Sequence, residues 1–235
     1  MSPSSRPRPV IAIDGPAGAG KSTVALRLAQ RLGFLLVDTG ALYRGVALAA
    51  RDAGVDWNDE PGLGALAARL QLAFQPAPDG ASDDAATPHL FLDGRDCSEL
   101  IRTPEIALGA SEVSKYPSVR RALLSLQRRM GEHGGVVLEG RDIGTVVFPD
   151  AELKVFLTAA AESRATRRVA DLAERGITAD FGQTLAEIKL RDERDATRPV
   201  SPLRAASDAV TLDTTHLDAD SVVEQLAQLA RQKGA

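Results

Sequence analysis

The segment Gly15-Pro16-Ala17-Gly18-Ala19-Gly20-Lys21-Ser22 fits the pattern G-x-x-x-x-G-K-[ST] in full, and no other feature restricts the fold as much. Such a loop turns consecutive backbone N–H groups inward around phosphate oxygens, which calls for glycines in the loop and a helix N-terminus directly behind it. The flanks meet that demand. Val10–Asp14 is an apolar run of strand length, and Ser22–Leu32 carries Val24, Leu28 and Leu32 at helical spacing. Lys21 is then placed to bridge the β- and γ-phosphates of a nucleotide, and the Ser22 hydroxyl to ligate Mg²⁺.

Beyond the loop the chain alternates in the same way. Phe34–Val37 reads as a buried strand and Ala41–Ala53 as the helix after it, so the βαβ pattern predicts a parallel sheet with helices on both faces. Between residues 56 and 101 the character changes. Pro61, Pro76, Pro78 and Pro88 interrupt the chain and Pro76–Thr87 is small and polar, which predicts an inserted subdomain with strands at Leu70–Phe74 and His89–Asp93. Helices are expected at Thr103–Ser114, Val119–Met130, Glu162–Arg175, Thr184 to Asp195 and Asp218–Gln232, with strands at Val136–Glu139, Leu153–Leu157 and Ala209–Asp213. The expected division is a disordered leader at 1–9, a core at 10–55, 102–160 and 199–235, the insert at 56–101, and a lid with flanking helices at 161–198.

Charge excludes one class of function. With 28 Lys and Arg against 32 Asp and Glu, a net charge of −4 argues against a non-specific nucleic-acid binder, which needs a cationic surplus to displace counterions. The arginines therefore serve a local, compact anion. They are Arg44, Arg102, Arg120, Arg141, Arg164, Arg168, Arg191, Arg194 and Arg198, more than a simple hydrolase needs and better explained by transfer between two phosphorylated substrates. No apolar run reaches membrane-span length, and the first residues lack the apolar stretch of a signal peptide. The one cysteine, Cys97, cannot form an internal disulfide, which fits a reducing compartment, and the expectation is a cytoplasmic monomer with no nucleic-acid or membrane partner.

Four segments carry a resemblance. They are Ile13 to Ser22, Asp38-Thr39-Gly40-Ala41-Leu42-Tyr43-Arg44, Gly140-Arg141-Asp142-Ile143-Gly144-Thr145-Val146-Val147-Phe148-Pro149-Asp150, and Arg191-Asp192-Glu193-Arg194-Asp195. In this order and at these spacings they resemble the bacterial cytidylate kinase family. The resemblance implies an α/β P-loop nucleoside-monophosphate-kinase fold: a five-stranded parallel core flanked by helices, an enlarged acceptor-binding insert and a helical lid. It implies phosphorylation of CMP, and of dCMP, by ATP with Mg²⁺. Gly15 through Ser22, with Thr23, Arg164 and Arg168, would hold ATP. Ser111, Arg120 and Asp142 would read cytosine, and Arg44, Arg141 and Arg198 would hold the acceptor phosphate. Tyr43, Arg191 and Asp195 would hold the ribose, with Thr39 beside them, and Lys21, Arg141 and Arg198 would act on the transferring group. Where the family often has Asp before the Gly-Arg-Asp segment this chain has Glu139, one methylene longer, near the expected metal.

The chemistry agrees with those residue types. An acceptor phosphate whose second pKa lies near roughly 6 is already a dianionic nucleophile at neutral pH, so no general base is needed. Asp142 is then free to accept from the exocyclic amine of cytosine, where uracil presents a carbonyl. Two other readings fit the loop and the arginines: a kinase of the same fold acting on UMP or another small phosphorylated acceptor, and a non-catalytic nucleotide-sensing module whose arginines dock a protein.

Overall fold

In the computed structural model, which describes residues 6–75, 87–174 and 176–235, the apolar run opens a strand β1, Val10–Asp14, whose five residues are all buried. A strand without a solvent face belongs in the middle of a parallel sheet, and β1 lies there. Among the described residues five strands form one sheet: β1, β2 (Leu35–Asp38), β6 (Val136–Gly140), β7 (Leu153–Thr158) and β8 (Val210–Asp213). Their order is β2-β6-β1-β7-β8. β1 pairs in parallel with β6 on one side and β7 on the other, with Asp14 opposite Gly140 and Phe156. Neighbouring parallel strands end on the same edge, so the loops after β1 and β6 leave side by side, where ligands bind in open α/β sheets.

The chain divides into two compact units, one of residues 1–35 and 133–235, the other of residues 36–132. In the first, α1 (Lys21–Leu32) packs against α8 (Ala219–Gln232), and α6 (Ala161–Glu174) against α7 (Phe181–Thr197). Arg6 and Arg8, expected within the leader, are held: Arg6 pairs with Asp150 at 2.5 Å and Glu152 at 3.1 Å, and Arg8 donates to the Leu32 carbonyl at 2.9 Å. The rest of that expectation, residues 1–5, lies outside the described residues.

The second unit holds α2 (Thr39–Asp52), α3 (Glu60–Arg69), α4 (Pro104–Val113) and α5 (Pro117–Met130). Its three-stranded sheet runs in the order β3 (Leu72–Gln75), β4 (His89–Leu92) and β5 (Arg95–Asp96), antiparallel throughout. Leu42, Leu48, Leu63, Leu90, Ile106 and Leu123 are fully buried in its core. The helix α3 is a correction to the sequence reading, which took Pro61 as a breaker. Proline in the first turn costs a helix nothing, and Asp59 caps this one by accepting from the Gly62 amide at 3.1 Å. Most of the polar stretch Pro76–Thr87 lies outside the described residues. None of the described helices is long and apolar enough to cross a membrane.

Candidate functional site

The phosphate loop is built by close approach. Gly15 has φ +150°, and a Cβ there would lie 2.0 Å from the Leu157 carbonyl oxygen, so a side chain is sterically excluded. The loop carbonyls are tied outward. Pro16 O accepts from Lys21 Nζ at 2.8 Å, Ala17 O from Arg164 Nη1 at 3.0 Å, and Ala19 O from Thr214 Oγ1 at 3.2 Å. Fixing carbonyls on one side presents N–H groups on the other, and α1 begins directly behind with Gly20 as its N-cap, so no capping side chain competes for its first amides. Such an arrangement can receive an anion.

Lys21 is 6% exposed. Burial pushes its pKa down to about 7, the Arg141 guanidinium and Arg191 pushing the same way, while Glu139 and Asp14 oppose them. A polyphosphate laid against the ammonium would restore its charge. Ser22 Oγ donates to Glu139 Oε2 at 2.9 Å, which brings the last residue of the motif to the buried carboxylate near the end of β6. A hydroxyl and a carboxylate are hard oxygen donors of the kind Mg²⁺ takes.

The loop after β6 supplies the next layer. Arg141 donates from Nε to Asp195 Oδ2 at 2.8 Å, so the Gly-Arg-Asp segment is joined to α7. Arg198, at the C-terminal end of α7, comes within 3.7 Å of Asp142 and 3.9 Å of Asp195, and its Nε donates to the Ser201 carbonyl at 2.5 Å. Arg191 lies one turn before Asp195 on the same helix. The first unit thus gathers Gly15 to Thr23, Arg141, Asp142, Arg164, Arg191, Asp195 and Arg198. Arg168 is exposed on α6.

Arg164 is 4% exposed and its donors are engaged. Nε donates to the Ala159 carbonyl at 2.9 Å, Nη1 to Ala17 O and to Asp192 Oδ1 at 3.0 Å, and Nη2 to Asp192 Oδ2 at 2.6 Å. It props the loop from the scaffold side.

Thr39, Tyr43, Arg44, Ser111 and Arg120 belong to the second unit. Thr39 opens α2 and is buried. Asp38 caps that helix by accepting from the Ala41 amide at 3.0 Å and pairs with Arg44 Nη2 at 2.6 Å. Arg44 Nε is buried without a hydrogen-bond partner among the described residues. Arg44 lines a small cleft together with Arg102, Ser98, Phe74 and Leu90. Arg120, 8% exposed, lies 5.5 Å from the Tyr43 ring centroid and donates to the Ser114 carbonyl at 3.2 Å, while Ser111 sits in the last turn of α4.

Three carboxylates escaped the sequence reading as site residues. All three were visible only as members of quoted segments: Asp192, an acid beside arginines on a helix, reads equally as part of a solvated face, and Asp38 and Asp14 each end a strand. Asp14 is 4% exposed and accepts from the Ile143 and Gly144 amides, each at 2.8 Å.

Comparison with known proteins adds the following. The family described as "Cytidylate kinase" matches residues 11–232. A cytidylate kinase of Syntrophotalea carbinolica is 51% identical over 224 residues, covering 95% of this chain and 92% of the relative. One of Pseudomonas paraeruginosa is 49% identical over 226 residues, covering 96% of each. Among solved structures, an uncharacterized protein from Eubacterium ventriosum superposes with a TM-score of 0.51 at 13% identity, over 95% of this chain and 99% of the other, a likeness of fold alone.

Proposed function

The chain belongs to the cytidylate kinase family, and from that premise we propose that it transfers the γ-phosphoryl group of ATP to CMP, and to dCMP, giving the diphosphate. The observation that carries the reading is the run from buried Lys21 through half-buried Arg141 to half-buried Asp195. A lysine inside a phosphate loop is electrostatically linked to an arginine of the neighbouring strand's loop, and that arginine is hydrogen-bonded to an acid on the α7 helix. A hydrolase needs the first of these; transfer between two phosphorylated substrates uses all three.

The division of labour follows from the chemistry of each group. The amides of Gly15 to Thr23 and Lys21 hold the donor phosphates, and Arg164 keeps the loop in shape through Ala17. Arg141 and Arg198 stay charged in a closing, partly dry site and can bind phosphate bidentately, so they neutralise the acceptor anion and hold it in line. The orphaned Nε of Arg44 gives that residue a spare donor for the same anion. Asp195 orients Arg141 and, with Tyr43, Thr39 and Arg191, would meet the ribose. Ser111, Arg120 and Asp142 read the base. Ser22, with Glu139, would hold Mg²⁺, which would supply positive charge to offset the charge developing on the transferring phosphate. Residues 161–198 would act as the lid. The chain would work as a cytoplasmic monomer on small molecules.

The test is ADP release measured with each nucleoside monophosphate in turn. CMP and dCMP should support turnover far above UMP, AMP and GMP. ADP release on UMP alone, or on none of them, would overturn the reading.

A further inference from the structure

The division of labour leaves two deeply buried ionisable groups of the sheet without a task, Lys154, which is paired with Asp208, and Asp14, which adjoins the phosphate loop. Asp14 occupies the last position of β1, directly before that loop, and its backbone is fixed twice. On one side it pairs with Gly140, and next to it Gly15 is pressed against the Leu157 carbonyl. Its side chain reaches past Gly140 to accept from the Ile143 and Gly144 amides at 2.8 Å each. Gly140 immediately precedes Arg141 and Asp142, and Ile143 and Gly144 immediately follow them. The dipeptide that faces the acceptor is therefore bracketed by one residue, through its backbone on one side and its carboxylate on the other. Beyond Asp142 the chain turns as a π-helix, Ile143–Val147, a form favoured at functional sites and without a sequence signature of its own.

We propose that Asp14 is a positioning residue for base selection: by holding the Ile143 and Gly144 amides it sets the direction in which Asp142 and Arg141 present their side chains. The proposal rests on the reading of Asp142 as the cytosine contact. A carboxylate suits this role because it accepts from both amides at once, which an amide side chain cannot do, since its nitrogen would oppose one of the two donors. The arrangement is costly. Burial pushes the Asp14 pKa up to about 6, Asp142 adds to that rise, and the two amides and Lys21 offset it only in part. A neutral residue would pack more easily at this position, so a carboxylate there, with both oxygens engaged by amides, argues for a purpose other than packing.

The experiment compares wild type, Asp14→Asn and Asp14→Glu for kcat and KM on CMP and UMP, KM for ATP, and Tm. For Asp14→Asn the proposal expects kcat/KM on CMP to fall by about tenfold or more and the CMP-to-UMP ratio to narrow at least about threefold, with KM for ATP within about twofold of wild type. Asp14→Glu keeps the charge and both acceptor oxygens one methylene further out, and should narrow the ratio less; it carries the test if the Asn variant does not fold. A ratio equal to wild type in the folded variants, with all efficiencies falling alongside Tm, would make Asp14 a packing residue and overturn the proposal alone. A wild-type enzyme with no preference for CMP over UMP would instead overturn the reading of Asp142, and the proposal with it.

Discussion

Arg164 and Asp192 meet as a two-pronged ion pair, with Nη1 3.0 Å from Oδ1 and Nη2 2.6 Å from Oδ2. The pair joins α6 to α7, and because the same Nη1 reaches the Ala17 carbonyl, it joins both helices to the phosphate loop. Lysine in place of Arg164 keeps the charge but cannot fork. Arg164→Lys should therefore raise KM for ATP by roughly tenfold and lower stability by roughly 2 kcal/mol, less than for a fully buried pair because Asp192 is partly exposed. Asp192→Asn should move both quantities in the same direction. If Arg164 served only as a direct ATP contact, KM would rise while urea unfolding stayed that of wild type.

Lys21 separates function from stability in the opposite sense. Its ammonium is buried and its charged form disfavoured, so an apolar side chain of similar length relieves a cost of folding. Lys21→Met should leave Tm equal to or above wild type while turnover falls roughly a thousandfold, the scale of a lost transition-state charge partner. Steady-state rates and a thermal melt on one preparation check both halves. Near-normal turnover would mean that the loop does not hold the donor.

Asp14 makes the stability of the fold depend on pH. Its carboxyl titrates near about 6 when folded and at 3.8 in an unstructured chain, so between those values the folded chain holds the proton more tightly. Stability from this group is therefore present at low pH and is lost as pH rises through the window from 3.8 to about 6. The charged groups acting on it are Asp142, which raises the pKa, and Lys21, which lowers it. Other acids titrate oppositely: Asp96 is held down to about 2 by Ser98 and His89. The clean observable is thus a difference. On going from pH 7 to pH 5 wild type should gain about 1 kcal/mol relative to Asp14→Asn, read from urea midpoints. A parallel course of the two would mean that Asp14 is ionised throughout.

The parts of this molecule that were legible in the sequence are those where one short segment carries its own physics. The strand, loop and first helix follow from an apolar run, obligatory glycines and helical spacing within residues 10 to 32, and the structure agrees to within a residue at the helix start. Features set by distant partners were not legible. The helix α3 was missed for a local reason, because a proline that starts a helix and one that ends it look alike unless Asp59 is read as the cap. The two-residue strand β5 exists only through its pairing with β4. The turn at Ile143–Val147 is hydrogen-bonded to a carboxylate 129 residues earlier in the chain. The same holds for the site: the phosphate loop is legible as one segment, whereas Arg141 and Arg198 were legible only as members of a set of arginines, and their roles and Asp195 came through resemblance, since nothing local reveals that the loop after β6 and the end of α7 meet.

Base choice gives the sharpest test of the acceptor reading. Asp142 is 6% exposed, and Arg198 stands 3.7 Å from its Oδ1, so a cation accompanies the carboxylate. A carboxylate held there could accept from the amine of cytosine, while uracil would set a carbonyl against it and leave two acceptors opposed. Asp142→Asn keeps the size but turns one oxygen into a donor, which suits uracil's carbonyl better than cytosine's amine. The variant should lose CMP efficiency by roughly 1–3 kcal/mol in transition-state binding and lose less on UMP, so that the ratio narrows. The measurement is kcat/KM for both acceptors at saturating ATP, with Tm as a control on folding. If both efficiencies fall together and the ratio holds, Asp142 organises the loop and anchors Arg198 without touching the base, and selection must then come from Arg120 and Ser111.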